Sequence, residues 1–371
     1  MVGEEFGSDV HPEVLGNESP DHAMIELLRR PYEAWSIDQS LSKSENNVYN
    51  YVKLFNHVGR KLRACGPPGT VFEDEFRAHD VTYLKLLLAT SYARAFLRVG
   101  SKHADKLYYL DVLSASGVSY TRTFEDIPVP SSAFTVPLAY HDFKAEPAPP
   151  KFAFDRVWTF DRDAVSLAAI NERRLALGRA GFSLPPYEPM AGDANARVFE
   201  AIEAIRTGGA HRPLTLAFID NVGLDVKMTT IQGIQRGIRA DLIVHLPVSA
   251  VIRCVEQWRK RQFNQPALTA FFGNEEWQKI DSAADVVSVY HESVRKVTGS
   301  EFQDALPVRI KGPNAEFALC FYVRRTRGSG AEGWVSNIQK LAEACNSVSY
   351  DRIRGIVERA EGRRTVLHDF F

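Results

Sequence analysis

The sequence predicts an α/β protein: a doubly wound, mostly parallel sheet with a terminal antiparallel hairpin and added helices. Three observations carry this reading. From about residue 80 onward, short apolar runs of strand length alternate with longer stretches of helical periodicity, the pattern of a parallel sheet covered on both faces. Right-handed crossovers between such strands place helices on both sides. The last two strand candidates are joined through Gly312-Pro313-Asn314, a turn suited to an antiparallel hairpin.

In chain order, residues 1–22 are polar and acidic with scattered Gly and Pro and are expected to be mobile. Helices are predicted over 24–35 and 47–63, the second carrying Val48, Val52, Phe55, Val58 and Leu62 at helical spacing. Gly66-Pro67-Pro68-Gly69 breaks the chain. The division expected is a helical extension (1–75), a Rossmann-like domain (76–346) and a basic tail (347–371). Inside the domain, 80–99 reads as an apolar helix and Leu107-Tyr-Tyr-Leu-Asp-Val-Leu113 as a buried strand. A helix can start within 133–140. Strands follow at 156–160, 187–191, 214–219 and 241–246, each trailed by a helix (164–177, 194–206, 228–238, 249–263). Helices at 268–272 and 283–297 precede the closing strands, 306–310 and 317–323, and a helix is expected over 333–345. An antiparallel hairpin at the sheet edge separates the class I S-adenosylmethionine (SAM) methyltransferase type of Rossmann-like sheet from the nicotinamide-binding type, which ends on parallel strands.

Composition bounds the chemistry. The chain has 45 Lys+Arg against 46 Asp+Glu, a formal net charge of −1, so attraction to nucleic acid or membrane must come from a local patch. Cys65, Cys254, Cys320 and Cys345 are scattered without a Cys-x-x-Cys, as expected of free thiols in a reducing compartment. They lack the close His or Cys partners of a zinc site, and no metal is expected. The acidic N-terminus has no apolar core and no run reaches membrane-span length, so the expectation is cytoplasmic, with no membrane.

Ligands of open α/β sheets lie at the carboxyl ends of the strands, near the reversal of strand order. The first strand ends in Asp111 and then Ser114, Ala115, Ser116 and Gly117, small residues that allow close backbone approach. The second ends at Asp161-Arg162-Asp163, where an acid can take both ribose hydroxyls. The third ends at Gly192-Asp193-Ala194, where Asp193 can accept from an adenine amino group. Each has a plainer reading: small residues make ordinary turns, and Asp161, Asp163 and Asp193 can cap the helices that follow. Their succession in this order points to an adenosyl site. At the fourth strand end, Asp220 and Asn221 are the catalytic candidates, with Asp220 as acceptor of a nucleophile's hydrogen bond or as base. Tyr120 and His245 are candidate wall or proton-handling residues of the substrate side, although His245 in an apolar strand also reads as a core histidine and Tyr120 as a loop aromatic.

On these residues the chain resembles the three-Cys-motif partner proteins, a SAM-dependent methyltransferase-like family that accompanies radical-SAM-like proteins. The family's Asp-Leu-Phe-Ala-Gly-x-Gly is matched by Asp111 to Gly117, with Ala115 at the first glycine. Its Phe-Ile-Asp-Pro-x-Gly is similar to Phe218-Ile219-Asp220-Asn221-Val222-Gly223. Asp241-Leu-Ile-Val-His-Leu-Pro247 and Phe271-Phe272-Gly273-Asn274-Glu275-Glu276-Trp277 fit as well. The resemblance spans roughly residues 79–345. It implies SAM as cofactor, methyl transfer as activity, and a radical-SAM-like three-Cys-motif protein as partner. Two departures bear on activity. Ala115 narrows the cofactor turn and is accommodated if its φ is negative. Asn221 replaces the proline that would help fix a carbonyl against an amine acceptor. A non-catalytic SAM-binding or scaffold role stands beside the enzymatic one.

Methyl transfer from a sulfonium is an in-line displacement, served by alignment and a dry site. Arg253, Arg259, Lys260 and Arg261 on one helix, Arg324, Arg325 and Arg327 after the last strand, and Arg352, Arg354, Arg359, Arg363 and Arg364 in the tail form basic clusters. Arg253, Arg324 and Arg325 are the substrate-binding candidates among them, with nucleic acid the candidate acceptor or partner. Charge runs are also ordinary solvated faces.

Overall fold

The computed structural model describes residues 43–65, 77–78, 82–121, 128–140, 152–261, 265–299, 306–311, 316–324, 355–356 and 358–359. The N-terminal 1–22 segment, the helices expected at 24–35 and 333–345, the 66–69 break and the 312–314 turn lie outside the described residues. So do Arg325, Arg327 and, apart from Arg359, the tail arginines.

The described elements begin with α1 (Lys43–Cys65), β1 (Arg77–Ala78), α2 (Thr82–His103), β2 (Lys106–Val112), β3 (Val118–Thr121), β4 (Val129–Pro130) and the short α3 (Ser132–Thr135). There follow β5 (Arg156–Asp161), α4 (Ala164–Arg179), β6 (Tyr187–Ala191), α5 (Ala194–Thr207), β7 (Pro213–Asp220), α6 (Met228–Gly237) and β8 (Ala240–Leu246). The chain continues through α7 (Val248–Arg261), α8 (Gln265–Phe272), a 3-10 turn (Glu276–Lys279), α9 (Ala283–Thr298), β9 (Leu306–Lys311) and β10 (Glu316–Tyr322).

Seven strands form one sheet in the order β6-β5-β2-β7-β8-β10-β9. Strands β2, β5, β6, β7 and β8 pair parallel. β10 is antiparallel to both neighbours, β8 and β9. This is the strand order of the class I SAM-methyltransferase fold, with the hairpin of the sequence reading inserted so that its second strand lies inside its first.

Alternation along each strand explains the two cores. In β2, Leu107 and Tyr109 join one apolar cluster while Tyr108, Leu110 and Val112 join the other. In β7, Leu216 and Phe218 face the first, and Ala217 and Ile219 the second. Side chains of a strand point to opposite faces, so a strand buried on both sides reads as a continuous apolar run. Val52, Phe55, Val58 and Leu62 of α1 lie in the first cluster with Leu87, Tyr92 and Phe96 of α2. α6 to α9 cover the second.

Three features depart from the sequence reading. A small sheet, β1-β3-β4, stands where only a loop was expected, because strands of two to four residues are too short to display alternation. The helix expected within 133–140 is a single turn followed by further turns. The third concerns Arg324, which was placed at the substrate side. β10 runs antiparallel, so its carboxyl end lies at the opposite end of the sheet: Tyr322 pairs with Leu242 near the start of β8, and the Arg324 backbone N–H donates to Asp241 at 2.8 Å. Among the described residues, no helix is long and apolar enough to cross a membrane.

Candidate functional site

Strand β2 lies between β5 on one side and β7 on the other, so the crossovers on its two sides run in opposite directions and leave a crevice at the carboxyl ends. A cleft of about 550 Å³ opens there, lined among others by Ser114, Ala115, Asp161, Asp193, Ala194, Asp220 and His245. Nucleoside-sized ligands occupy clefts of roughly this volume.

The turn after β2 forms the first wall. Leu113 and Ala115 have φ of 69° and 47°, the left-handed region that L-residues enter at a cost. Ala115 therefore does not adopt the negative φ that would accommodate its methyl group. What holds the turn is Asp161: the Ala115 backbone N–H donates to its Oδ2 at 3.0 Å, and the Asp163 N–H donates to its Oδ1 at 2.9 Å. Ser114 ties the same turn to β5, its Oγ accepting from the Phe160 N–H at 3.2 Å. Gly117 has φ of 84°, and an added Cβ would fall 2.6 Å from the Phe134 ring. Its glycine thus answers to packing beneath the cleft.

The adjacent acids divide between capping and lining. Asp163 caps α4 through the N–H groups of Val165 and Ser166. Asp193 caps α5 through the Asn195 N–H, and that hydrogen bond, helped by the Asn195 side chain, holds its carboxyl below the ordinary range against the burial that raises it. Asp193 is exposed and also lines the cleft. Asp161 caps no helix among the described residues. Asn195, not singled out by the sequence, joins this end to the loop after β7: it donates to the Asp225 carbonyl at 2.9 Å and accepts from Lys227 N–H and Thr230 Oγ1, each at 2.8 Å.

Asp111, Ser116 and Gly117 do not line the cleft. Asp111 is buried below it, accepting from Ser132 Oγ at 2.8 Å and Tyr109 Oη at 3.0 Å. Burial pushes its carboxyl up to about 7, overriding those two hydrogen bonds. Ser116 is buried, and its carbonyl accepts from Arg173.

The other half of the cleft is built around Asp220. Lys85 of α2 reaches it with Nζ at 2.8 Å from Oδ1 and 2.7 Å from Oδ2. Both side chains are largely buried, 15% and 21% exposed. Burial alone would raise the Asp220 carboxyl, yet the Lys85 charge and the His245 ring hold it well below the usual carboxylate range. Asp220 is therefore a fixed negative charge and a poor proton acceptor. His245 Nδ1 lies 3.1 Å from Asp220 Oδ1 and 2.6 Å from the Asn221 carbonyl oxygen, and its ring packs edge-on against Phe317 with centroids 4.7 Å apart.

Asn221 is fully buried and does not line the cleft. Its Nδ2 donates to the His245 carbonyl at 3.1 Å, and its Oδ1 accepts from the Val226 N–H at 3.1 Å. It pins the ends of β7 and β8 together. Its own carbonyl is fixed without proline, but by His245, which occupies it.

Arg253 of α7 is exposed and lines the cleft mouth. Tyr120 lies in β3, its backbone paired with Arg77, and its side chain is outside the described residues. The sequence reading overlooked Lys85. Its signal was a lone cation within the apolar Tyr83-Leu84-Lys85-Leu86-Leu87-Leu88 run, since a lysine buried among leucines requires a partner.

No protein-family model matches the chain, and no curated protein matches it. Solved structures are similar in part. Human methyltransferase-like protein 13, in complex with SAH, aligns over 78% of this chain and 99% of its own, at a TM-score of 0.32 and 14% identity. A Legionella pneumophila (strain Philadelphia 1) protein of family-model DUF519 aligns over 71% and 93%, at 0.34 and 12%. A point mutant of MtNAS aligns over 76% of each chain, at 0.29 and 9%. Likeness at this level assigns no activity.

Proposed function

We propose that the chain is a SAM-dependent methyltransferase that binds the adenosyl group at the ends of β2, β5 and β6 and its acceptor beside β7 and β8. The observation that carries this is one cleft lined by Ser114 and Ala115 of a tight turn, by Asp161 and Asp193 at the next two strand ends, and by Asp220 and His245 beyond them. The donor set fits the ligand: carboxylates for ribose and adenine donors on one side, a paired acid and an imidazole on the other. When bound, SAM supplies an activated methyl group. The residues' part is to orient, to exclude water and to handle the acceptor's proton. The exposed face of α7, with Arg253 at the cleft mouth followed by Lys260 and Arg261, is the path proposed for an anionic acceptor such as nucleic acid. The family resemblance makes a radical-SAM-like three-Cys-motif protein the matching protein partner.

Calorimetry with SAM and S-adenosylhomocysteine (SAH) tests the reading. Both should bind, and Asp161→Ala should weaken binding by about 1.5–3 kcal/mol, the loss of a hydrogen bond to a charged group. Wild-type protein without affinity for either ligand would sink it.

A further inference from the structure

Two acceptors converge on one nitrogen of His245. The Asn221 carbonyl oxygen at 2.6 Å and the Asp220 carboxylate at 3.1 Å both face Nδ1. A carbonyl cannot donate, so Nδ1 carries the proton, and in the neutral ring Nε2 is left with its lone pair. The ring lines the cleft, and Nε2 has no hydrogen-bond partner among the described residues. The ring's orientation is over-determined: two acceptors hold Nδ1, and Phe317 packs against the ring in a T-shaped contact. Asp220 in turn is locked by the two-oxygen contact from Lys85. A core histidine would be satisfied at both nitrogens or surrounded by apolar groups. This one is oriented on one side and open on the other.

We infer that His245 Nε2 is the general base of the transfer, that Asp220 is its positioning residue, and that the acceptor's nucleophile is a hydroxyl. This rests on the adenosyl reading above and deepens it. A hydroxyl is a weak nucleophile until its proton is being removed, whereas a neutral amine attacks unaided. The carbonyl that would orient an amine, that of Asn221, is already taken by His245. In the reaction the hydroxyl oxygen forms a bond to the methyl carbon and the carbon–sulfur electron pair leaves with sulfur as a neutral thioether. The hydroxyl proton passes to Nε2, and the resulting imidazolium is held by the Asp220 carboxylate until it loses the proton to solvent. Of the charged residues that line the cleft, Asp220 on β7 lies against the ring and Lys85 on α2 behind Asp220, with Arg253 on α7 and Glu316 on β10 in the same lining.

Nitrogen-15 NMR of histidine-labelled protein saturated with SAH tests the tautomer, with His245→Gln identifying the signal. Nδ1 should resonate as a protonated and Nε2 as an unprotonated nitrogen. In Asp220→Asn, which keeps an oxygen for Lys85, that preference should weaken. A protonated Nε2 paired with a bare Nδ1 overturns the inference while SAH binding still stands. Failure of SAH to bind removes the adenosyl reading instead. Chemistry is tested with SAM carrying a carbon-13 methyl group and an extract of the source organism. The new methyl signal should fall at the O-methyl position and should drop roughly 100- to 10,000-fold in rate in His245→Gln, with SAH affinity changed less than about twofold. An N-methyl signal, or a His245→Gln rate equal to wild type, overturns the assignment. SAH binding with no transfer of any kind removes the transferase reading and this one with it.

Discussion

Single residues near the cleft separate what the sequence can state from what only packing decides. The identity of Asp161, Asp193 and Asp220 at successive strand ends was legible, because strand periodicity locates the ends and acids there are conspicuous. Their duties were not. Capping, bracing a turn and pairing with lysine depend on backbone angles and on partners up to 135 residues away, as for Lys85 and Asp220. Asp111 shows the same limit: it reads as a ligand group, yet it lies buried beneath the turn. Its state carries a testable consequence. Burial raises Asp111 to about 7 and Asp241 to about 6, against about 3.9 for a carboxyl in the unfolded chain. The unfolded chain releases these protons first. Their contribution to stability is therefore full below about pH 4 and declines as pH rises, until about 6 for Asp241 and about 7 for Asp111. Asp220 acts with the opposite sign, its contribution present above about pH 4 and lost only in strong acid. Asn mimics the protonated acid, so Asp111→Asn should gain stability relative to wild type at pH 8 and show little gain at pH 4.5. Urea midpoints at the two values check this, and an equal difference at both would mean that folded Asp111 stays ionised.

At the scale of elements, the long strands and helices were readable within a few residues because burial on both faces or on one stripe leaves a periodic trace. β7 and α4 follow the apolar pattern almost to their ends. The turn announced that β9 and β10 pair antiparallel but not which of them runs against the parallel strands, and brevity left no trace at all. The polarity of β10 comes from the hairpin, and once it is antiparallel Arg324 must leave the sheet away from the cleft. The small β1-β3-β4 sheet comes from pairings that no alternation of two to four residues can announce. Helix α1 makes a further point. Its apolar stripe predicted a helix, and its packing joins the core beneath α2: Phe55 is 1% exposed, with its ring stacked on Tyr83 at 6.5 Å between centroids. Phe55→Ala should cost about 3–5 kcal/mol of unfolding free energy, as for other buried phenylalanines. Denaturant titration measures it, and a loss under about 1 kcal/mol would mean that α1 rests on the domain without sharing its core.

Across the whole molecule, a net charge of −1 gives no long-range pull on an anionic acceptor, so its recognition must be local. The exposed basic residues of α7 are arranged for that, beginning with Arg253 in the cleft lining. Arg253 and Lys260 are seven positions apart on α7, two turns along one face, with Arg261 beside them. Arg259 is already committed to the Ile280 carbonyl at 2.8 Å and Asp281 at 2.7 Å, and so is unsuited to a phosphate. If nucleic acid is the acceptor, as proposed, three cations from one helix face should contact its backbone. Affinity for a single-stranded RNA oligomer, which carries the hydroxyl the proposed base requires, should then fall with salt with a log–log slope of about 2, from roughly 0.7 counterion per contact. Replacing Arg253, Lys260 and Arg261 by glutamate should abolish binding, while SAH affinity, which the proposed site puts on the opposite side of the cleft, should hold. Fluorescence anisotropy across a salt series reads both. Binding that ignores salt, or that survives the triple replacement, would turn the acceptor search toward small hydroxyl compounds or a protein partner. The cleft would keep its chemistry in that case, since neither Asp161 nor His245 depends on how the acceptor arrives.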